Sequence, residues 1–484
     1  MSDYELTVRG GTVVTDQAMW RADVGVRGGR IVAIADSLPP GLRDVSADGM
    51  LVLPGGVDSH VHLDQPFSSG AKIADNFATG TASALAGGTT TILSFVMQPR
   101  GGSLAEAAAG YHLLAAQSRV DYSFHLTITD PTAIVLEQEL PLLVEQGHRS
   151  IKIFLANAST RLNDRQVLET LAAARRLGAL VCVHAEHHEL IEWLTERLIA
   201  QGETAPRALA LAKPMIAERE ATHRVLALAE ALDAPVQIFH VSGRDSADEV
   251  ARAQQRGVRA WAETCTQYLV LTSADLDRPG FEGAKYMFAP PARTVLDQQS
   301  LWERIEDGTI SVVSSDHSPL RYDDPQGKKF GAGPGDHAAP FHKVPNGVPG
   351  LAARLPIVFS EGVVKGGIDA CRFVSLVATM PARLFGLYPR KGTIAIGSDA
   401  DLVLWDPDRQ HTLTNAAMHH GGDYTPYEGL RVTGAPVAVY LRGLEAFAEG
   451  TVLAESGAGV FLPRRAYDFI APSGRFSSGF DPYR

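Results

Sequence analysis

Residues 50–62 read Met50-Leu51-Val52-Leu53-Pro54-Gly55-Gly56-Val57-Asp58-Ser59-His60-Val61-His62. An apolar run passes through two glycines and ends on polar side chains, the pattern of a strand that is buried along its length and delivers chemistry at its C-terminal end. The same grammar recurs at 89–97, 121–129, 150–156, 179–185, 235–241, 258–264 and 310–315, which makes eight strands. Between them lie Ala-, Leu-, Glu- and Arg-rich stretches of helical period, such as 104–118, 164–177 and 219–232, punctuated by Gly, Pro, Asp or Asn. Eight parallel strands with crossover helices predict an α/β fold that closes into a (β/α)8 barrel, with an open doubly wound sheet as the alternative.

Outward from the barrel the chain ends read differently. Residues 4–34 alternate strand-like runs with turns such as Arg9-Gly10-Gly11 and Arg27-Gly28-Gly29, and residues 400–405 and 436–450 do the same. Each set is too small to bury a sheet alone, so 1–53 and 395–450 are expected to pair into one small flanking β-sandwich beside a catalytic barrel of 54–394. The aperiodic remainder, 451–484, reads as a C-terminal arm on its own or a neighbouring subunit, or as a disordered tail.

Composition narrows the function. The 484 residues carry 44 Lys plus Arg against 55 Asp plus Glu, a net charge of -11, which argues against a nucleic-acid partner. With 45% hydrophobic and 20% charged residues the chain is globular, not disordered. No stretch approaches the ~18 unbroken apolar residues of a membrane span, and Met1-Ser2-Asp3-Tyr4-Glu5 lacks the order of a signal peptide, so a cytoplasmic protein with no membrane partner is expected. Cys182, Cys265 and Cys371 have neither the number nor the spacing of a disulfide framework or zinc knuckle and read as reduced, mostly buried residues.

The strand ends carry the chemistry. His60 and His62 alternate along strand one and therefore point the same way, so two imidazoles can converge on one ion. Strand five ends in His184-Ala185-Glu186, strand six in Phe239-His240, and strand eight in Ser315-Asp316-His317. One such histidine is more often a hydrogen-bonded structural residue, but together they form a nitrogen and oxygen set suited to zinc or a similar divalent ion. Lys152 lies inside the apolar strand Ser150-Ile151-Lys152-Ile153-Phe154, where a lone ammonium is costly. It needs either a salt-bridge partner, Asp316 or Glu263, or a modification such as carboxylation, which turns the amine into an anionic bridge for two cations.

These blocks, with Asp121-Tyr122-Ser123-Phe124-His125, Glu263-Thr264-Cys265-Thr266-Gln267-Tyr268, Pro345-Asn346-Gly347-Val348-Pro349-Gly350 and the run 385–393, resemble the metal-dependent amidohydrolase superfamily and, within it, the dihydropyrimidinase and hydantoinase branch of cyclic amidohydrolases. The resemblance covers nearly the whole chain. It implies two divalent metal ions, zinc by expectation: His60, His62, Lys152 and Asp316 on one, and Lys152 as N6-carboxylysine bridging to a second held by His184 and His240. Asp316 is also implied as the general base, passing a proton from the metal-activated water to the departing amide nitrogen as a ring C–N bond is hydrolysed. A small-molecule cyclic amide or ureide is the implied substrate and a homotetramer the implied assembly.

Substrate contacts depart from the family pattern. The tyrosine that follows the bridging lysine by five positions is Asn157 here, and the serine before the Pro-Pro pair is Ala289; Asn346 keeps the substrate-binding segment. Asn157, Ala289 and Asn346 are thus the candidate substrate-binding residues. Asp64 stands where dihydroorotases carry a carboxylate-clasping arginine, which disfavours a carboxylated ring. His125, His187, His188, His223 and His317 are assigned packing, solvent or loop-supporting roles. The expectation is therefore ring opening of a dihydropyrimidine, hydantoin or cyclic imide, with allantoinase, an N-acyl amino acid deacylase and a non-enzymatic scaffold as rivals in that order.

Overall fold

A computed structural model describes residues 3–67, 69–333 and 338–483. Eight parallel strands run in sequence order, Gly56–Val61, Thr89–Met97, Asp121–Thr127, Ser150–Phe154, Leu180–His184, Val236–Ile238, Ala260–Cys265 and Ile310–Ser314. The first and last meet where Val61 bridges His317, with His62 N donating to the His317 carbonyl at 2.8 Å. The sheet is thereby a nearly closed barrel, as the strand count predicts. Its strands are buried throughout, because helices cover one face and side chains fill the other. Helices such as Leu104–Ala115, Asp164–Leu177 and Met215–Leu232 occupy the crossovers. Asn163 caps the second of these through Gln166, and Gly178 ends it in the left-handed conformation, which is why the element stops where the sequence signal stops.

The expected first strand, 50–62, divides at Gly55. Leu51–Pro54 pairs instead with Leu6–Val14 and Leu402–Thr412 in the second sheet. Gly55 N donates to the Asp401 carbonyl at 2.8 Å, and a side chain there would begin 2.1 Å from Thr90 Oγ1, so the chain can switch sheets only through a glycine. That second sheet has nine strands drawn from both chain ends. It is one continuous hydrogen-bonded sheet and not two separate layers, yet it encloses its own core of residues such as Val8, Val24, Leu402 and Tyr440 from both ends. Beyond Val452 the chain lies against its own barrel: Arg464 is buried beneath strands three and four, donating to the Phe124 carbonyl at 2.5 Å and Ser150 Oγ at 2.7 Å, and Ser473 N bonds Asp233. Among the described residues no helix is long and apolar enough to cross a membrane.

Lys391 joins sheet and barrel. Its ammonium, wholly buried, lies 2.6 Å from Asp121, 2.7 Å from Asp401 and 3.1 Å from Asp399. These carboxylates hold the Lys391 amine above its ordinary range despite burial. Removing the cation leaves several acids desolvated together. Lys391→Met is expected to cost about 3–5 kcal/mol, read as a lower midpoint in denaturant unfolding; an unchanged midpoint would show that the acids are neutralised by other groups.

Candidate metal centre and active site

The six expected metal-binding side chains leave five strands and point into one cavity of about 870 Å³ at the C-terminal mouth of the barrel. The parallel register explains the convergence. Each ligand sits at or within two residues of a strand end, apart from Lys152, midway along strand four. His60 Nε2 and His62 Nε2 each lie 3.2 Å from the same oxygen, Asp316 Oδ1. Across the mouth His184 Nδ1 faces His240 Nε2 at 2.9 Å. Between the two groups Lys152 Nζ stands 4.3 Å from the centre of the Phe239 ring, 5.0 Å from Phe154 and 5.6 Å from Phe95, with no hydrogen-bond partner among the described residues. Neither Asp316 nor Glu263 forms a hydrogen bond to it.

Burial sets the protonation states. It pushes the His60 and His240 imidazoles far below their ordinary range, with the nearby Lys152 charge adding to the effect, so both rings are neutral. His184 is also lowered by burial, against the opposing pull of Glu186. Desolvation lowers Lys152 to about 8, with Asp316 and Glu263 opposing, which supplies the neutral amine that carbon dioxide needs for carbamate formation. Unprotonated nitrogens facing one another, one carboxylate oxygen shared by two rings and a buried amine with nothing to bond form a donor set that fits divalent cations. His60, His62 and Asp316 alone bring three ligand atoms within 4.8 Å of one another.

The outward nitrogens are held by residues that sequence reasoning missed as functional. His60 Nδ1 meets Glu263 Oε1 at 2.7 Å, His62 Nδ1 meets Gln65 Oε1 at 2.5 Å, and His184 Nε2 meets Glu186 Oε2 at 2.8 Å. Lys213 Nζ lies 2.6 Å from that same Glu186 oxygen and keeps the carboxylate charged, down to about 2. Such partners fix the tautomer and leave the inward nitrogen's lone pair free. Glu186 was visible as a strand-end acid two residues after His184; nothing local marks Lys213. His240 and Asp316 adopt left-handed backbone angles, φ 40° and 46°, a conformation costing non-glycine residues about 1–3 kcal/mol that the fold tolerates where it aims these side chains.

Asn157, Ala289 and Asn346 line the same cavity. Asn157 Oδ1 accepts from Ser159 N at 3.2 Å and Ser159 Oγ at 3.0 Å, so its Nδ2 is the group left to donate. Ala289 offers no side-chain polar atom. Asn346 Oδ1 is buried without a partner among the described residues, an acceptor available to a ring N–H. The other histidines divide. His125 packs inside the barrel, bonding the Ser59 carbonyl at 2.8 Å and Ser150 Oγ at 2.7 Å, and His317 binds Asp75 at 3.0 Å and accepts from Gly350 N at 3.1 Å, supporting the loop. His188, expected in solvent, is buried and lines the cavity because the helix His188–Ala200 starts at its rim. Asp64 accepts from Phe77 N at 2.9 Å and anchors the first helix, a structural role.

Comparison with known proteins agrees with this geometry. The model of the amidohydrolase family matches residues 51–445. A D-hydantoinase of Ralstonia pickettii is 45% identical over 96% of this chain and 99% of its own length. A solved D-hydantoinase superposes with a TM-score of 0.92 at 45% identity, covering 95% of this chain and 99% of that one. A dihydropyrimidinase from Brevibacillus agri gives 0.92 at 40% identity, with 95% and 99% covered. A barrel whose strand ends gather histidines, a lysine and an aspartate, matched along almost its entire length by these proteins, belongs to the amidohydrolase family, on its hydantoinase and dihydropyrimidinase branch.

Proposed function

We propose that this protein is a binuclear metal-dependent hydrolase that opens the ring of hydantoins, dihydropyrimidines or related cyclic imides. The observation that carries the reading is the gathering of His60, His62, Lys152, His184, His240 and Asp316 around one cavity, with the Lys152 amine buried and unpartnered. D-hydantoinases and a dihydropyrimidinase among the full-length relatives support the ring class. In this reading His60, His62 and Asp316 hold one zinc ion, His184 and His240 a second, and carboxylated Lys152 both. The bound cations would acidify a water and polarise the scissile carbonyl.

The chain's own groups do the rest. Asp316 accepts the proton of the attacking water and returns it to the ring nitrogen as the C–N bond breaks, so that the product leaves as a carboxylate with a neutral amide or ureide. Asn346 Oδ1 accepts a ring N–H and holds the ring in register. Asn157 Nδ2 replaces a phenol as donor to the carbonyl oxygen, and Ala289 offers only its backbone; a missing hydrogen bond to a buried substrate atom shifts specificity by orders of magnitude, so these two positions tune which ring is preferred. We further propose a cytoplasmic homotetramer, built from a barrel of 54–394, a flanking unit of 1–53 with 395–450, and the arm 451–484.

The direct test is ring opening of dihydrouracil, 5-substituted hydantoins, succinimide-type imides and allantoin by protein loaded with zinc and bicarbonate. Hydrolysis of the first two is expected, lost on chelation and restored by zinc. Turnover of a different ring alone would move the substrate class; turnover of none would sink the reading. Lys152→Ala is expected to release bound metal and lower kcat/KM by about 10³-fold or more, with partial rescue by short carboxylic acids. Metal analysis beside the kinetics checks this, and full activity would remove the bridge. Asp316→Asn should keep the far-ultraviolet circular dichroism of the native protein while kcat falls by about 10²–10⁴-fold; near-normal turnover would place the proton relay on another group.

A further inference from the structure

Lys328 belongs to neither the metal centre nor the ligand shell around it, yet its side chain is fully buried. No carboxylate pairs with it among the described residues, and burial alone pushes its amine far below the ordinary lysine range. If this position only filled space, an apolar chain of similar volume would do so without the cost of desolvating an amine. The amine instead makes two directed bonds. Nζ donates to the Met287 carbonyl at 2.8 Å and to the Pro345 carbonyl at 3.0 Å. The Met287 carbonyl also accepts from Gly347 N at 2.9 Å, so the two chain segments are tied both directly and through Lys328.

The positions of those carbonyls give the contact its meaning. One residue beyond Met287 begins the cavity wall at Phe288 and Ala289; one residue beyond Pro345 lies Asn346 with its unpartnered Oδ1, followed by Gly347. The loop carrying Lys328 is itself fixed, because Lys328 N bonds the Arg321 carbonyl at 2.8 Å and the Gln326 carbonyl accepts from Lys72 N at 2.8 Å. At Gly347 a side chain would begin 2.4 Å from the Ser318 carbonyl, so this segment is also packed tightly from behind.

We propose that Lys328 is a positioning residue for the substrate: it clamps the segment ending in Ala289 to the segment ending in Asn346 and so sets the width of the wall that receives the ring. The proposal rests on the ring-opening reading above. A side chain with at least two N–H groups in either protonation state matches two carbonyls, one from each segment. Slackening the clamp moves Asn346 relative to Ala289 without touching a metal ligand, and misplacement by a fraction of an ångström in a ring-binding wall weakens binding ahead of chemistry.

The experiment compares zinc-loaded wild type, Lys328→Met and Lys328→Gln, the last keeping two N–H donors on a shorter arm. Lys328→Met is expected to raise KM for hydantoin and dihydrouracil by about tenfold or more while kcat changes less than about threefold. Zinc content should be unchanged, amide hydrogen exchange at Gly347 faster, and Lys328→Gln intermediate. If Lys328→Met does not fold, Lys328→Gln alone carries the comparison. Wild-type KM and wild-type Gly347 exchange in a folded variant would overturn the clamp, as would kcat and zinc falling together at constant KM. Should wild type open no ring, the functional reading fails, and exchange at Gly347 still decides whether Lys328 fixes this wall.

Discussion

The mouth of the barrel holds lone pairs that the protein itself cannot satisfy. His184 Nδ1 and His240 Nε2 face each other at 2.9 Å, two further imidazoles crowd one oxygen of Asp316 at 3.2 Å, and the Lys152 amine has no hydrogen-bond partner among the described residues. In a water-poor interior such groups are expensive to leave unmatched. Positively charged guests satisfy them together, and the surrounding structure keeps them in that receptive state. Glu263, Gln65 and Glu186 engage the outward nitrogens, so that the inward ones carry the lone pairs.

Apolar packing enforces the same condition. Phe95, Phe154 and Phe239 surround Lys152 and exclude water, while Phe95 also stacks on His62 with ring centres 4.5 Å apart. Desolvation then keeps the histidines neutral and brings the lysine amine toward its uncharged form. The buried Glu263 is pushed up by the same burial and pulled back by Lys152, so each group's ionisation depends on the other. An acidic chain thus encloses a site whose charge balance is made locally, by strands that are themselves apolar.

Ligands and substrate wall have different foundations. The ligands stand on strands or immediately beyond them, where ladder hydrogen bonds from neighbours on both sides fix each position. Asn157, Ala289 and Asn346 stand on loops, held by side-chain contacts such as Ser159 to Asn157 and Lys328 to the carbonyls of Met287 and Pro345. A metal site can therefore stay constant across proteins that differ in their ring, because the loops change without disturbing the strands. On the opposite side of the barrel, Lys391 with its aspartates and Arg464 under strands three and four bind the end sheet and the arm to the floor.

Much of this was legible in the sequence because barrel strands are local statements. A buried parallel strand announces itself by composition, and its last residues lie at the active-site end of the barrel, so eight strands and the alignment of His60, His62, Lys152, His184, His240 and Asp316 with their ends follow from pattern alone. What sequence could not decide is where one strand stops and another sheet begins, as at Gly55, whose role depends on Thr90 and Asp401 arriving from elsewhere. The partners of Lys152, the tautomers set by Glu263 and Glu186, the burial of His188 and the reach of Lys213 and Lys328 also came only with tertiary structure. Each is a distance between residues far apart in the chain, and burial, which sets their protonation, is a property of the packed fold and not of any segment within it.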